Sequence, residues 1–187
     1  MREKILEVTA LLIKQYGLRK FTVDEIAAEL KISKKTIYKY FMGKDEIIRA
    51  YFEDAIASDK DGIKNALVEA HDFQQKIRSV VHSTHKYPLP VTLLNEAKLF
   101  YPNEWEKVEG LKRFKLETAE NLLEEGTANG IFKSDVNFPV LCRMLQEISE
   151  LFTDYDFLLG NKLTTTEAID SALNIIFHGL LCPTAIA

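Results

Sequence analysis

From Ile5 to Leu180 the apolar residues recur at steps of three and four, and no stretch alternates apolar with polar as a half-buried strand must. A chain patterned this way buries its apolar stripes by packing helix on helix. The spacing therefore predicts an all-α fold of about nine helices. Ile5, Val8, Thr9, Leu12, Ile13 and Tyr16 mark the first face, over about 2–16, and Gly17 is a natural stop. Thr22-Val23-Asp24-Glu25 has the pattern of a capping box and opens a short helix to about Leu30. Ser33 is a second N-cap, for a helix to about Met42 that Gly43 ends. Lys44-Asp45-Glu46 begins a fourth, running to about 60, with Gly62 as a break. Further helices are expected over about 71–86, 103–128 and 138–159, with Pro88, Pro90 and Pro102 as interruptions. A last one opens at the Thr164/Glu167 capping pattern and ends near Leu181.

With 47% hydrophobic and 28% charged residues, the composition is that of an ordinary globular chain and excludes intrinsic disorder. No apolar run reaches the roughly 18 residues a membrane span needs. The polar start Met1-Arg2-Glu3-Lys4 lacks the pattern of a secretory signal, so a reducing cytoplasm is the expected location. Cys142 and Cys182 are too few for a disulfide scaffold, and as small apolar residues on packed helices they are expected to be inert.

Charge is unevenly shared. Residues 1–50 carry 11 Lys/Arg against 7 Asp/Glu, and the remainder carry 13 against 21. A head of net charge +4 on a body of −8 points to an anionic partner for the head alone. Two short helices joined by Lys31-Ile32-Ser33 form a helix-turn-helix pattern, which places its second helix in the major groove of DNA. On a helical wheel Ile37 and Phe41 lie about 40° apart and point inward. Lys35, Thr36 and Lys39 take the opposite face, with Lys34, Tyr38 and Tyr40 on the flanks. Lysines neutralise phosphates or donate to guanine acceptors, and the hydroxyls bond phosphate oxygens. Lys44 adds a cation beside a helix N-terminus, where free amides already favour an anion. With the capping hydroxyls Thr22 and Ser33, these residues are the candidate DNA-binding set.

The runs Phe21-Thr22-Val23-Asp24-Glu25-Ile26-Ala27, Ile32 to Phe41 and Lys44-Asp45-Glu46-Ile47 resemble the DNA-binding domain of the TetR family of transcriptional regulators. The resemblance covers about residues 3–50. It departs from the family pattern where Lys31 and Lys35 stand in place of glycines. It implies that Thr36, Tyr38 and Lys44 contact phosphates and that Lys34, Lys35, Lys39 and Tyr40 lie in or beside the groove. It also implies two domains, a DNA-binding head over 1–50 and a helical effector-binding and dimerisation body over 51–187. The expected function is a repressor that binds a pseudopalindromic operator as a homodimer and is released by a small-molecule effector.

In the body, Leu141, Leu145, Ile148, Phe152 and Tyr155 make one stripe, continued by Leu159, and Ile169, Ala172, Leu173, Ile176 and Leu180 make another. The first is wide enough for burial on two sides, and the resemblance assigns both helices to the dimer. Core packing within one chain is the alternative. Tyr87, Phe100, Tyr101, Trp105, Phe114, Met144, Phe152 and His178 are candidate walls of an effector pocket or ordinary core. The aromatic run from Tyr87 to Phe114, free of dense charge, points to a partly apolar effector. No catalytic loop or metalloprotease motif occurs, so an enzyme is not expected, and no cofactor or metal site is. His82 and His85 are three apart, but His71 would lie about 16 Å from His82 along a helix. A helical adaptor or ligand-binding protein whose head no longer binds DNA is the alternative function; the retained cations and hydroxyls argue against it.

Overall fold

The computed structural model describes residues 1–82, 85–133, 135–152 and 154–180, the last of these by its backbone alone. Among them the chain forms ten α-helices: α1 (Arg2–Lys20), α2 (Val23–Glu29), α3 (Lys34–Ile37), α4 (Lys44–Glu69), α5 (Phe73–Val81), α6 (Val91–Phe100), α7 (Pro102–Ala128), α8 (Phe138–Leu151), α9 (Tyr155–Gly160) and α10 (Thr165–Leu180). The fold is all-α, with one helix more than the sequence pattern suggests.

The chain divides into two compact units, Met1–Asp61 with Thr84–Leu111, and Gly62–Ser83 with Lys112–Ala187. The first is built on fully buried Ile5, Leu6, Leu18, Ile26, Ile37, Ile47 and Phe52. Tyr87, Leu93, Leu94 and Ala97 belong to that same core. The second is built on Ile63, Val80, Leu123, Phe132, Leu173 and Phe177. The unit holding the helix-turn-helix is thus larger than residues 1–50.

Helix boundaries follow the caps. Gly17 takes φ 80 and ψ 177, a conformation essentially restricted to glycine. It kinks α1 rather than ending it, and a last turn resumes to Lys20. The Thr22 capping box forms: Glu25 N donates to Thr22 Oγ1 at 3.2 Å, and Thr22 N donates to Glu25 Oε2 at 2.7 Å. The third helix stops at Ile37 instead of Met42, and turns carry the chain to the buried Phe41. α4 runs through Gly62 without a break. The fifth helix spans only Phe73–Val81, with Asp72 accepting from Gln75 N at its start. α6 has no counterpart in the sequence reading, because Pro88 and Pro90 read as interruptions. Pro90 is instead the residue from which α6 departs. The expected 138–159 helix is two, because Asp154 accepts from Phe157 N at 2.9 Å and caps a new start.

Two lysines occupy positions that favour glycine. Lys31 and Lys162 both have φ 54. At the end of α2, Lys31 N donates to Ala28 O and Ile32 N to Ala27 O, at 3.1 and 3.0 Å. After α9, Lys162 N donates to Leu159 O and Leu163 N to Leu158 O, at 3.1 and 2.9 Å. Each pair is a Schellman closure with lysine at its left-handed residue.

Candidate nucleic-acid interface

The helix-turn-helix is fixed from both sides of its turn. On the inner side Ile26, Ala27, Ile37 and Phe41 enter the core of the first unit, and Ile32 packs against it. On the outer side the Schellman closure turns the chain, and Ser33 Oγ accepts from Thr36 N at 3.2 Å to start α3. The surface left outward holds Lys31, Lys35, Tyr38, Lys39 and Tyr40, all exposed, with Thr36 half-buried. Three cations and two phenols on one short segment can meet phosphate oxygens and groove-edge acceptors.

The lysines differ in what they already hold. Lys34 Nζ pairs with Asp24 Oδ2 at 2.7 Å, joining α3 to α2. That hydrogen bond holds the Lys34 ammonium above its ordinary pKa. Lys44 Nζ donates to Arg19 O at 2.8 Å and Phe21 O at 2.7 Å, and lies 4.2 Å from the centre of the Phe21 ring. Burial pushes its pKa down. In the free chain Lys44 therefore ties the end of α1 to the start of α4. Thr22 and Ser33 are exposed, and both hydroxyls are engaged as caps.

The remaining candidates fall in several places. Leu141, Ile169 and Leu173 are buried in the core of the second unit. Leu145, Ile148, Phe152, Ala172 and Ile176 are half-buried, and Tyr155 is exposed. The side chain of Leu180 lies outside the described residues. With α8 ending at Leu151 and α9 starting at Tyr155, there is no single stripe from Leu141 to Leu159. The apolar side chains that stand exposed are Val140, Met144 and Leu151 on α8, Tyr155 and Leu159 on α9, and Ile175 on α10.

The aromatic candidates for an effector pocket are shared between the two cores. Tyr87 is buried in the first unit and stacks on Tyr51 with ring centres 5.2 Å apart. Tyr101 and Trp105 pack against that core. Phe100 is exposed, and the Arg19 guanidinium lies 4.2 Å over its ring. Phe114 and Phe152 pack against the second core, while Met144 and His178 are exposed.

Among the described residues no three His, Cys, Asp or Glu side chains gather as a metal site would require. His82 Nε2 contacts Asp170 at 3.0 Å, and His85 Nδ1 lies 2.9 Å from Asp59. Burial raises the Cys142 thiol above its ordinary pKa, which disfavours the reactive thiolate. Cys182 lies outside the described residues.

Among the described residues no helix is long and apolar enough to cross a membrane. Residues 5–51 match the family model described as bacterial regulatory proteins, tetR family. The chain is 28% identical over 185 residues to the uncharacterized HTH-type transcriptional regulator YvaF of Bacillus subtilis (strain 168), covering 96% of this chain and 95% of that one. It is 23% identical to the HTH-type transcriptional repressor KstR2 of Rhodococcus jostii (strain RHA1), covering 97% and 92%. A solved structure, a putative transcriptional regulator from Saccharomonospora viridis in complex with choline, has the same fold. Its TM-score is 0.75 at 19% identity, over 97% of each chain. These relatives are regulators rather than enzymes. The capped helix-turn-helix, the family model that matches it and the end-to-end relatives agree: residues 5–51 form a helix-turn-helix DNA-binding domain of the tetR family, and the chain is similar over its whole length to transcriptional regulators.

Proposed function

We propose that two copies of this chain bind a pseudopalindromic operator, repress transcription from it in the cytoplasm, and leave it when a small, partly apolar effector binds the body. The observation that carries the reading is the outward surface of the α3 segment. Lys31, Lys35, Tyr38, Lys39 and Tyr40 are all exposed there while Ile37 and Phe41 anchor it from below. Thr36 bonds a phosphate, and Lys35, Lys39 and Tyr40 face the groove. Tyr38 meets its phosphate edge, Lys34 reaches DNA in competition with Asp24, and Lys44 acts mainly by holding the backbone of Arg19 and Phe21.

The association surface consists of the exposed apolar residues of α8, α9 and α10: Val140, Met144, Leu151, Tyr155, Leu159 and Ile175. Isolated apolar side chains are normal on a surface, but six on three helices of one unit are better explained by a partner. The half-buried Leu145, Ile148, Phe152, Ala172 and Ile176 flank them. The choline complex of the Saccharomonospora viridis protein supports a small ligand held by this fold. In this chain Phe114, Met144, Phe152 and His178 are the candidates within the second unit.

Selection of duplexes from a random pool by the full chain, followed by native mass spectrometry of the complex, tests the reading. One dimer per duplex is expected, with half-sites about one turn of DNA apart, roughly 34–36 Å, or slightly more. A pool that yields no enriched sequence would overturn it, and so would a monomer on the selected duplex.

A further inference from the structure

The last turn of α1, beyond its kink, is gripped from α6 by the Glu96 carboxylate. At Gly17 the backbone of α1 leaves helical geometry, and the next amide is that of Leu18. Glu96 Oε2 accepts it at 2.8 Å. A side chain at position 17 is disfavoured by the backbone and would displace the Glu96 carboxylate from the Leu18 amide. The positive φ strains any L residue, and an added Cβ would push the flexible Glu96 carboxylate aside. Leu18 itself is fully buried, so its amide has little access to water as a substitute. The following residues are held as well: Arg19 lies over Phe100 of α6, and the Arg19 and Phe21 carbonyls accept from Lys44. The next residue, Thr22, is the N-cap of α2. The course of 18–21 therefore sets where the helix-turn-helix begins.

We infer that Glu96 is a positioning residue for DNA binding: by accepting the Leu18 amide at the Gly17 kink, it fixes the entry of the chain into α2 and with it the presentation of α3. The inference rests on the DNA-binding reading of the head. Its sign opposes simple electrostatics. Glu96 is an anion on a DNA-binding unit, and removal of an anion should tighten binding to a polyanion. Loss of the Leu18 acceptor should instead weaken it.

The test uses the full chain and the duplex that the wild type selects. Glu96→Ala removes the acceptor. Glu96→Gln removes the charge and keeps a carbonyl oxygen that can accept the same amide. Glu96→Ala is expected to weaken operator affinity roughly five- to tenfold, with the slope of affinity against salt unchanged, since no phosphate contact is lost. Glu96→Gln should bind as tightly as the wild type or more so. A folded Glu96→Ala protein that binds as tightly as the wild type overturns the inference, as does equal weakening by Ala and Gln. Amide hydrogen exchange in the unaltered protein keeps the question decidable if Glu96→Ala fails to fold. The Leu18 amide should be protected, and exchange as fast as that of an open amide overturns the inference. A wild type that selects no duplex overturns the regulator reading itself, whereas variants alone departing from expectation overturn only the role of Glu96.

Discussion

Lys31 carries a cost that its neighbours hide. Its φ of 54 is a left-handed backbone held by two good closure bonds, and a Cβ in that region costs about 1 kcal/mol or more. Lys31→Gly should therefore stabilise the protein by about 1 kcal/mol, read as a higher midpoint in thermal or urea denaturation. The same change removes a cation from the outward surface, so operator affinity should fall while stability rises. Those opposite signs separate folding from binding at one position. Lys44 behaves differently. Its ammonium satisfies the carbonyls of Arg19 and Phe21, so Lys44→Ala should lower stability by about 1–2 kcal/mol as well as weaken DNA binding on every sequence. Lys39 is exposed, two residues beyond the buried Ile37. If it reads a base, Lys39→Ala relaxes preference at one position per half-site; equal loss on all sequences would assign it to phosphate positioning.

At the scale of elements, side chains that satisfy helix ends decide where helices begin and how they are fastened. The clip between α5 and α10 is an example. Arg78 and His82 both reach Asp170 Oδ1, and Arg78 also donates to Asn174 at 2.9 Å. His82 first, then Arg78, holds the Asp170 carboxyl below its ordinary pKa. A lowered carboxyl pKa contributes stability that is present above the unfolded value, about 3.9, and is lost as pH falls through the lower folded value. Asp170→Asn should thus lower the melting midpoint at pH 7, and the gap to the wild type should close as pH drops below about 4. Denaturation scans across that range test it.

Caps are also the part of this fold most legible in sequence. Thr22 with Glu25, Ser33, and Thr164 with Glu167 each announce a helix start, and each makes the bonds its spacing implies. Where the cap was a less conspicuous residue the sequence misled. Asp154, inside an apolar stripe of helical period, cuts that stripe in two, and Pro90 opens a helix after a segment that reads as broken. Periodicity locates a face, but it is blind to a side chain that captures an amide inside it. The Glu96–Leu18 bond joins residues 78 positions apart, and no local pattern encodes it. The Lys34–Asp24 pair likewise depends on how the turn folds back.

For the whole molecule, assembly and coupling are the quantities to measure. Leu159 is 63% exposed and Ile175 75% exposed, so neither supports the chain's own core. Leu159→Asp should leave the fold intact, abolish the dimer in light scattering, and with it operator binding. A dimer that survives both Leu159→Asp and Ile175→Asp would move the interface elsewhere. An effector that acts by shifting the body should weaken operator affinity roughly 5–150-fold, and operator DNA should weaken effector affinity by the same factor. Calorimetric titration with and without operator measures both. The first unit bears on how such regulators are recombined. Tyr51 stacks on Tyr87 and donates to the carbonyl of Pro88, Leu18 bonds Glu96, and Leu93, Leu94 and Ala97 share the core of α1 and α4. A chimera that grafts residues 1–50 onto a foreign body would leave those apolar faces uncovered and the Leu18 amide without its acceptor. The head is therefore not a cassette that one cut can excise. A functional transplant has to carry residues 85–111 with it, as a discontinuous second segment.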